Sequence, residues 1–207
     1  ACLADEEFFI DGKRFEANPL IEIAKLKSKL AEASIDEQRK IVEELAGGFL
    51  AIGYGEEALA LLIDGGQENV LMADLARVVA EKPISRAGIL LNAAGCTGAH
   101  ALWQAAASAP GEAAHRIGQS GDAIAALPSR LRALLATRIA QKMIDAGDWS
   151  AAQNLFEIAN EASEVPSPKL QFVSALLREH DGALDESHEM LLNLAGQGND
   201  ASKDALL

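Results

Sequence analysis

The chain has 207 residues, long enough to bury a core without a cross-link to hold it. Apolar types make up 49 % of it but aromatics only 4 %, so the interior must be built from Ala, Leu and Ile, which favours close-packed helices over a sheet. The formal net charge of -13, from 18 Lys plus Arg against 31 Asp plus Glu, repels nucleic-acid backbones and anionic membranes and argues against a general role on polynucleotides.

The first 17 residues differ from the rest. Phe8, Phe9 and Ile10 run into Asp11-Gly12 and then Lys13, Arg14 and Phe15. That pattern reads either as a short hairpin with a primed turn or as an extended arm whose phenylalanines plug the first helices. The chain begins at Ala1 instead of Met, as expected of a processed product or fragment, and no basic-then-apolar leader is present.

Residues 18–109 read as one helical half. Asn18-Pro19 opens a helix carrying Leu20, Ile23, Leu26 and Leu30; a second, from Ile35-Asp36, carries Ile41, Val42, Leu45 and Phe49 and stops near Gly53. Glu56 to Ile63 forms a third, ended by Gly65-Gly66, and Asn69 caps a fourth containing Leu71, Leu75 and Val79. After Lys82-Pro83 another helix is expected through Ile84, Ala87, Leu90 and Leu91, and then one over residues 99–107. Residues 110–127, rich in Gly, Ala and small polar types, read as a junction, a short helix plus a loop.

Residues 128–207 form the second half. Pro128 starts a long helix with Leu131, Leu134, Leu135, Ile139, Met143 and Ile144, and Trp149 to Ala162 is its partner. Lys169 to Glu179 and Leu184 to Leu194 follow, and the ending on Leu206-Leu207 reads as a truncated turn of helix. No apolar run approaches the ~18 residues of a membrane span.

Two segments share one spacing. Val42, Leu45, Ala46, Phe49, Gly53, Ala58 and Leu62 overlay Ala136, Ile139, Ala140, Met143, Gly147, Ala152 and Phe156, with Ala159 beyond. Large apolar residues lock the first helix of each pair to the second, Ala46 and Ala140 let the backbones approach, the glycines end the first helix, and Ala58 and Ala152 mark the closest crossing. The pattern resembles the tetratricopeptide repeat family, best in the copy with Gly147-Asp148-Trp149. It departs in having Ala46 and Ala140 where that family often has Gly, Gly65 in place of a late alanine, and Pro166 near but off the closing proline. The offset between copies is also not a whole number of units of about 34 residues.

The resemblance implies an all-α, right-handed αα-superhelix of antiparallel helix hairpins. It also implies function by recognition: a protein-protein scaffold or adaptor that binds a peptide, a helix or an assembly subunit in a concave groove lined by the first helix of each pair. Catalysis, cofactors and nucleic acid are not expected of it. The alternative is a helical accessory domain of a larger cell-envelope enzyme.

Chemistry-bearing residues are few. Cys96 and His100 stand four apart across Gly98, and His180-Asp181 and Asp185 to Glu189 bring acids near imidazoles. No His-Glu-x-x-His or paired-cysteine spacing occurs, so no metal site is expected. Asp145-Ala146-Gly147-Asp148 fails as a calcium loop because its twelfth position is Phe156, and Gly118-Gln119-Ser120-Gly121 lacks the spacing of a nucleophile elbow. Cys2 and Cys96 are a candidate disulfide if the protein is exported, for instance to a bacterial periplasm, or two free thiols if it is cytosolic. Arg130, Arg132, Arg138 and Lys142 load positive charge onto one helix of an acidic protein. Either acids on neighbouring helices neutralise them, or they line a groove for an acidic or C-terminal peptide. An exposed Trp103, Trp149 or Tyr54 beside them would favour the groove.

Overall fold

The computed structural model describes residues 1–64, 69–85 and 88–196, and among these every regular element is helical. In chain order they are α1 (Lys13–Glu16), α2 (Pro19–Glu32), α3 (Ile35–Ala51), α4 (Gly55–Asp64), α5 (Val70–Val79) and α6 (Gly98–Ala107). Then come α7 (Pro110–Ile117), α8 (Ser129–Asp145), α9 (Trp149–Glu161), α10 (Pro168–His180) and α11 (Leu184–Ala195). Two 3-10 turns, Asp5–Phe8 and Gly121–Ile124, complete the set. No described helix is long and apolar enough to cross a membrane.

Helix ends are set by local chemistry. Ser34 and Glu37 form a capping box at α3, where the Ser34 N–H donates to Glu37 Oε2 at 3.1 Å and its hydroxyl donates at 2.7 Å. Side chains of Asn69, Asp148 and Ser167 accept from the first-turn N–H groups of α5, α9 and α10. At the C-terminus of α3, Gly53 takes φ +83°, the Gly53 N–H donates to Leu50 O and the Tyr54 N–H to Phe49 O. Gly147 (φ +79°) closes α8 in the same way through Ile144 O and Met143 O. This left-handed closure satisfies carbonyls that the helix leaves open.

Helices adjacent in sequence pack on each other from α2 through α5 and again from α6 through α11, and α3 and α6 both touch α8. Among these helices Ala46, Phe49, Ala58, Leu62, Ala140, Met143 and Ala152 are buried, and Phe156 is half-buried against the core. The N-terminal arm closes this core from one side. Phe15 lies so close to Gly48 that a Cβ there would stand 2.5 Å from the ring.

Two expectations are corrected. Residues 8–15 form no hairpin: Gly12 has φ -87°, whereas a primed turn needs positive φ, and Phe8 and Phe15 of the arm are buried in the core. The Asp11 carboxylate instead accepts the Lys13 N–H at 3.2 Å and starts α1. The helix expected through Leu90 and Leu91 is absent among the described residues of 84–95; Ala87 lies outside them. Carbonyls there bond to side chains instead of to a helical ladder: Leu90 O accepts from Gln104 Nε2 (2.8 Å) and lies 2.9 Å from His100 Nε2, and Ala93 O accepts from Gln104 Nε2 (2.8 Å). The short helix expected within 110–127 is α7, followed by a 3-10 turn; α7 packs on α6 and α8 and buries Ala113. Gly65, Gly66, Leu206 and Leu207 lie outside the described residues.

Candidate functional site

Two cavities lie along one face of α8. Arg130, Leu134 and Arg138 line a cavity of about 630 Å³, and Arg138, Gln141, Lys142 and Asp145 line a second of about 540 Å³. Arg138, Glu81 and Lys169 belong to both, so the two adjoin. The floor is apolar, from Ala133, Leu134, Ala106 and Ala107, and Val165 and Pro168 form one rim of the first cavity. From Arg130 to Asp145 the helix rises ~22 Å, the span of about seven extended residues.

Glu81 stands at the join. It is the one described non-glycine residue with positive φ, +55°, and closes α5: its N–H donates to Val78 O and the Lys82 N–H to Arg77 O. Glycine is the usual residue at such a position, because a Cβ there costs on the order of 1 kcal/mol. Glutamate holds it through its carboxylate, 2.9 Å from both Arg138 Nη2 and Lys169 Nζ. Burial pushes the Glu81 carboxyl up, but the Lys169 hydrogen bond and the charges of Arg138, Lys169 and Lys142 outweigh it and leave the group below the usual carboxylate range.

The four cations on α8 have separate roles. Arg138 Nη1 donates to Val78 O (3.1 Å) and Val79 O (2.8 Å), two carbonyls at the C-terminal end of α5. Lys142 Nζ donates to Ala106 O and Ser108 O (2.7 Å), with Ala105 O at 3.4 Å, at the end of α6. Each is thus a helix C-cap delivered by a neighbouring helix, where positive charge also meets the negative end of the macrodipole. Burial lowers the pKa of both, and for Lys142 the nearby Arg138 charge adds to it. Arg132 turns away from the groove and donates to Ala125 O at 2.9 Å. Arg130 is exposed in the first cavity and makes no ion pair among the described residues.

The aromatic residues are not part of this groove. Trp103 is fully buried, Trp149 stacks on His180 with ring centres 4.0 Å apart, and Tyr54 lies in the turn before α4. Sequence spacing alone did not mark Glu81 or Lys169, which reach the site from 57 and 31 positions away from Arg138. The signal available for Glu81 was a helix stop without glycine before Lys82-Pro83.

Cys2 and Cys96 meet at the far side of α6, with Sγ atoms 2.13 Å apart and Cα atoms 5.5 Å apart, as a disulfide. No described cysteine is free. The arm is further pinned there: the Ala99 N–H donates to Asp5 Oδ1 at 2.8 Å, and the Leu3 N–H donates to His100 Nδ1 at 2.9 Å. With Nδ1 accepting, Nε2 carries the proton given to Leu90 O. The sulfurs and a His100 ring nitrogen lie within 4.8 Å, but each sulfur is bonded to the other, so neither serves as a nucleophile or metal ligand in this state. His115 and His188 are exposed and stand apart from this cluster.

Comparison with protein-family models, with curated proteins and with solved structures finds no match for this chain.

Proposed function

We propose that the protein is a scaffold or adaptor that binds an extended segment of a partner protein along α8. The observation that carries this reading is the pair of adjoining cavities on one unbroken helix face, with an apolar floor and charged groups of both signs. A strained Glu81 held between Arg138 and Lys169 supports it, because backbone strain persists where a site requires it. The groove lies on the first helix of the better repeat copy, where a tetratricopeptide-like superhelix would present a ligand. The Cys2–Cys96 bond supports placing the protein in an oxidising compartment such as the periplasm.

The test is a peptide-display selection against the full chain, repeated on the variant Arg130→Glu/Val165→Glu. Both side chains are exposed, so the fold should be unchanged by circular dichroism. Peptides enriched by the native groove should lose at least tenfold in affinity on the variant. Equal enrichment on both proteins would refute the groove as the binding surface.

A further inference from the structure

The Cys2–Cys96 bond has an imidazole for a neighbour. Both sulfurs and one His100 ring nitrogen lie within 4.8 Å of one another, and no other such group of three ligand side chains occurs among the described residues. The imidazole is already oriented as a ligand. Phe8 packs on the ring, with centroids 5.2 Å apart, and Nε2 donates to Leu90 O at 2.9 Å. That leaves the Nδ1 lone pair facing the arm, where it accepts the Leu3 N–H at 2.9 Å. A metal-bound histidine characteristically gives its other N–H to a carbonyl in this way, which fixes the tautomer and the ring.

Cutting the disulfide leaves these groups together. Cys96 and His100 are buried, one just before α6 and the other in its first turn, and the arm keeps a second anchor there in the Ala99 N–H, which donates to Asp5 Oδ1 at 2.8 Å. Cys2 is exposed, so the cluster is open to solvent on one side. In a tetrahedral zinc site, bonds of about 2.3 Å to sulfur and about 2.0 Å to nitrogen place S···S at ~3.8 Å and S···N at ~3.5 Å. Both spans fit within the 4.8 Å of this cluster once the sulfurs part. Two thiolates also balance the charge of Zn2+, so no net charge is left beside the buried imidazole.

We propose that the reduced protein binds one Zn2+ ion through Cys2 Sγ, Cys96 Sγ and His100 Nδ1, with water in the fourth position. A dithiol reductant supplies the two electrons and two protons, and becomes a disulfide as Cys2 and Cys96 become thiols. Zinc then takes both as thiolates, releasing two protons, and replaces the Leu3 N–H at Nδ1. In the reverse direction the two thiolates exchange with a small disulfide, which gives back the Cys2–Cys96 bond and two small thiolates, and the ion leaves. Disulfide and metal are thus alternative staples, each fastening the arm to α6. None of the three ligands lines the α8 groove, so zinc binding stands or falls separately from peptide binding.

The full chain, reduced with a phosphine and freed of it under nitrogen, is titrated with Co2+ as a coloured stand-in for Zn2+. One Co2+ per chain should bind, with visible bands of tetrahedral geometry and a thiolate-to-cobalt charge-transfer band in the near ultraviolet, and Zn2+ should bleach both. The oxidised chain should show neither. With free Zn2+ at about 100 Kd, the Tm of the reduced chain should rise by roughly 6 °C and that of the oxidised chain should not move. Cys2→Ser, at an exposed position, should keep its helicity and lose at least about tenfold in affinity for Co2+. Folded His100→Asn should lose at least about tenfold too, whereas chelation by the two thiols alone would be unchanged. A reduced native chain without the charge-transfer band, uptake that either folded variant leaves unchanged, or uptake with no rise in Tm would each overturn the proposal.

Discussion

Removing the Cys2–Cys96 bond should lower stability by a computable amount. The bond closes a loop with a sequence separation of 94. Chain-entropy arguments give about 4.7 kcal/mol for a loop near that size at 25 °C, because the cross-link restricts the unfolded chain. With an unfolding entropy of roughly 2.1 cal/mol/K per residue, a 207-residue chain loses about 10 °C of Tm. The arm stays attached through Asp5 to Ala99 and Leu3 to His100, so the folded state is expected to persist. Differential scanning calorimetry of Cys2→Ala/Cys96→Ala, beside the native protein with and without a phosphine reductant, measures the shift. The double variant and the reduced native protein should agree within a few degrees. A drop under 3 °C in both would refute the reasoning, since it would mean that the arm already restricts the unfolded chain or that the bond strains the fold.

Lys142→Met keeps the stem but deletes the charged donor to the carbonyls ending α6, and should destabilise by roughly 2–4 kcal/mol in urea unfolding. Gly147→Ala forces a Cβ into φ +79° where no neighbouring atom lies within 4 Å, so only the conformational cost of about 1 kcal/mol should appear in the same assay. Asp74 is buried, with Oδ1 on Arg77 and Oδ2 unpartnered among the described residues, and burial raises its carboxyl above the usual aspartate range. A carboxyl whose folded pKa is raised loses stability as pH climbs from its unfolded pKa through its folded one. Asp74→Asn should therefore stabilise by roughly 1 kcal/mol at neutral pH, with the difference closing below about pH 4, measured by urea unfolding across pH.

Much of the helical pattern was legible because helix ends write themselves into sequence. Gly147-Asp148-Trp149 announced the α8–α9 turn, since glycine takes the left-handed closure and aspartate then caps the next helix. The same turn recurs at Gly182 (φ +86°), where Gly182 and Ala183 N–H groups bond Glu179 O and Arg178 O, with small, buried Ser187 in the place of Ala152. Residue type does not mark that third instance, because serine is polar even though its size is what the crossing requires. Residues 84–95 misled for a different reason: apolar periodicity does not reveal that Gln104 and His100 supply the hydrogen bonds a helix would otherwise make. The positive charge on α8 was visible, but its use as a cap for α5 and α6 depends on carbonyls 34 to 60 residues away in the chain. A lysine capping a neighbour and a lysine lining a groove have the same spelling.

The bond between Cys2 and Cys96 also decides how the molecule carries force. A pull applied at the two ends of the chain enters at Cys2 and crosses directly to Cys96, so α1 to α5 hang as a side loop under no tension. Only the helices from α6 onward then lie on the covalent path between the two ends. Reduced, the same pull would reach every helix in turn, and the extra length released would be that of the whole shielded loop.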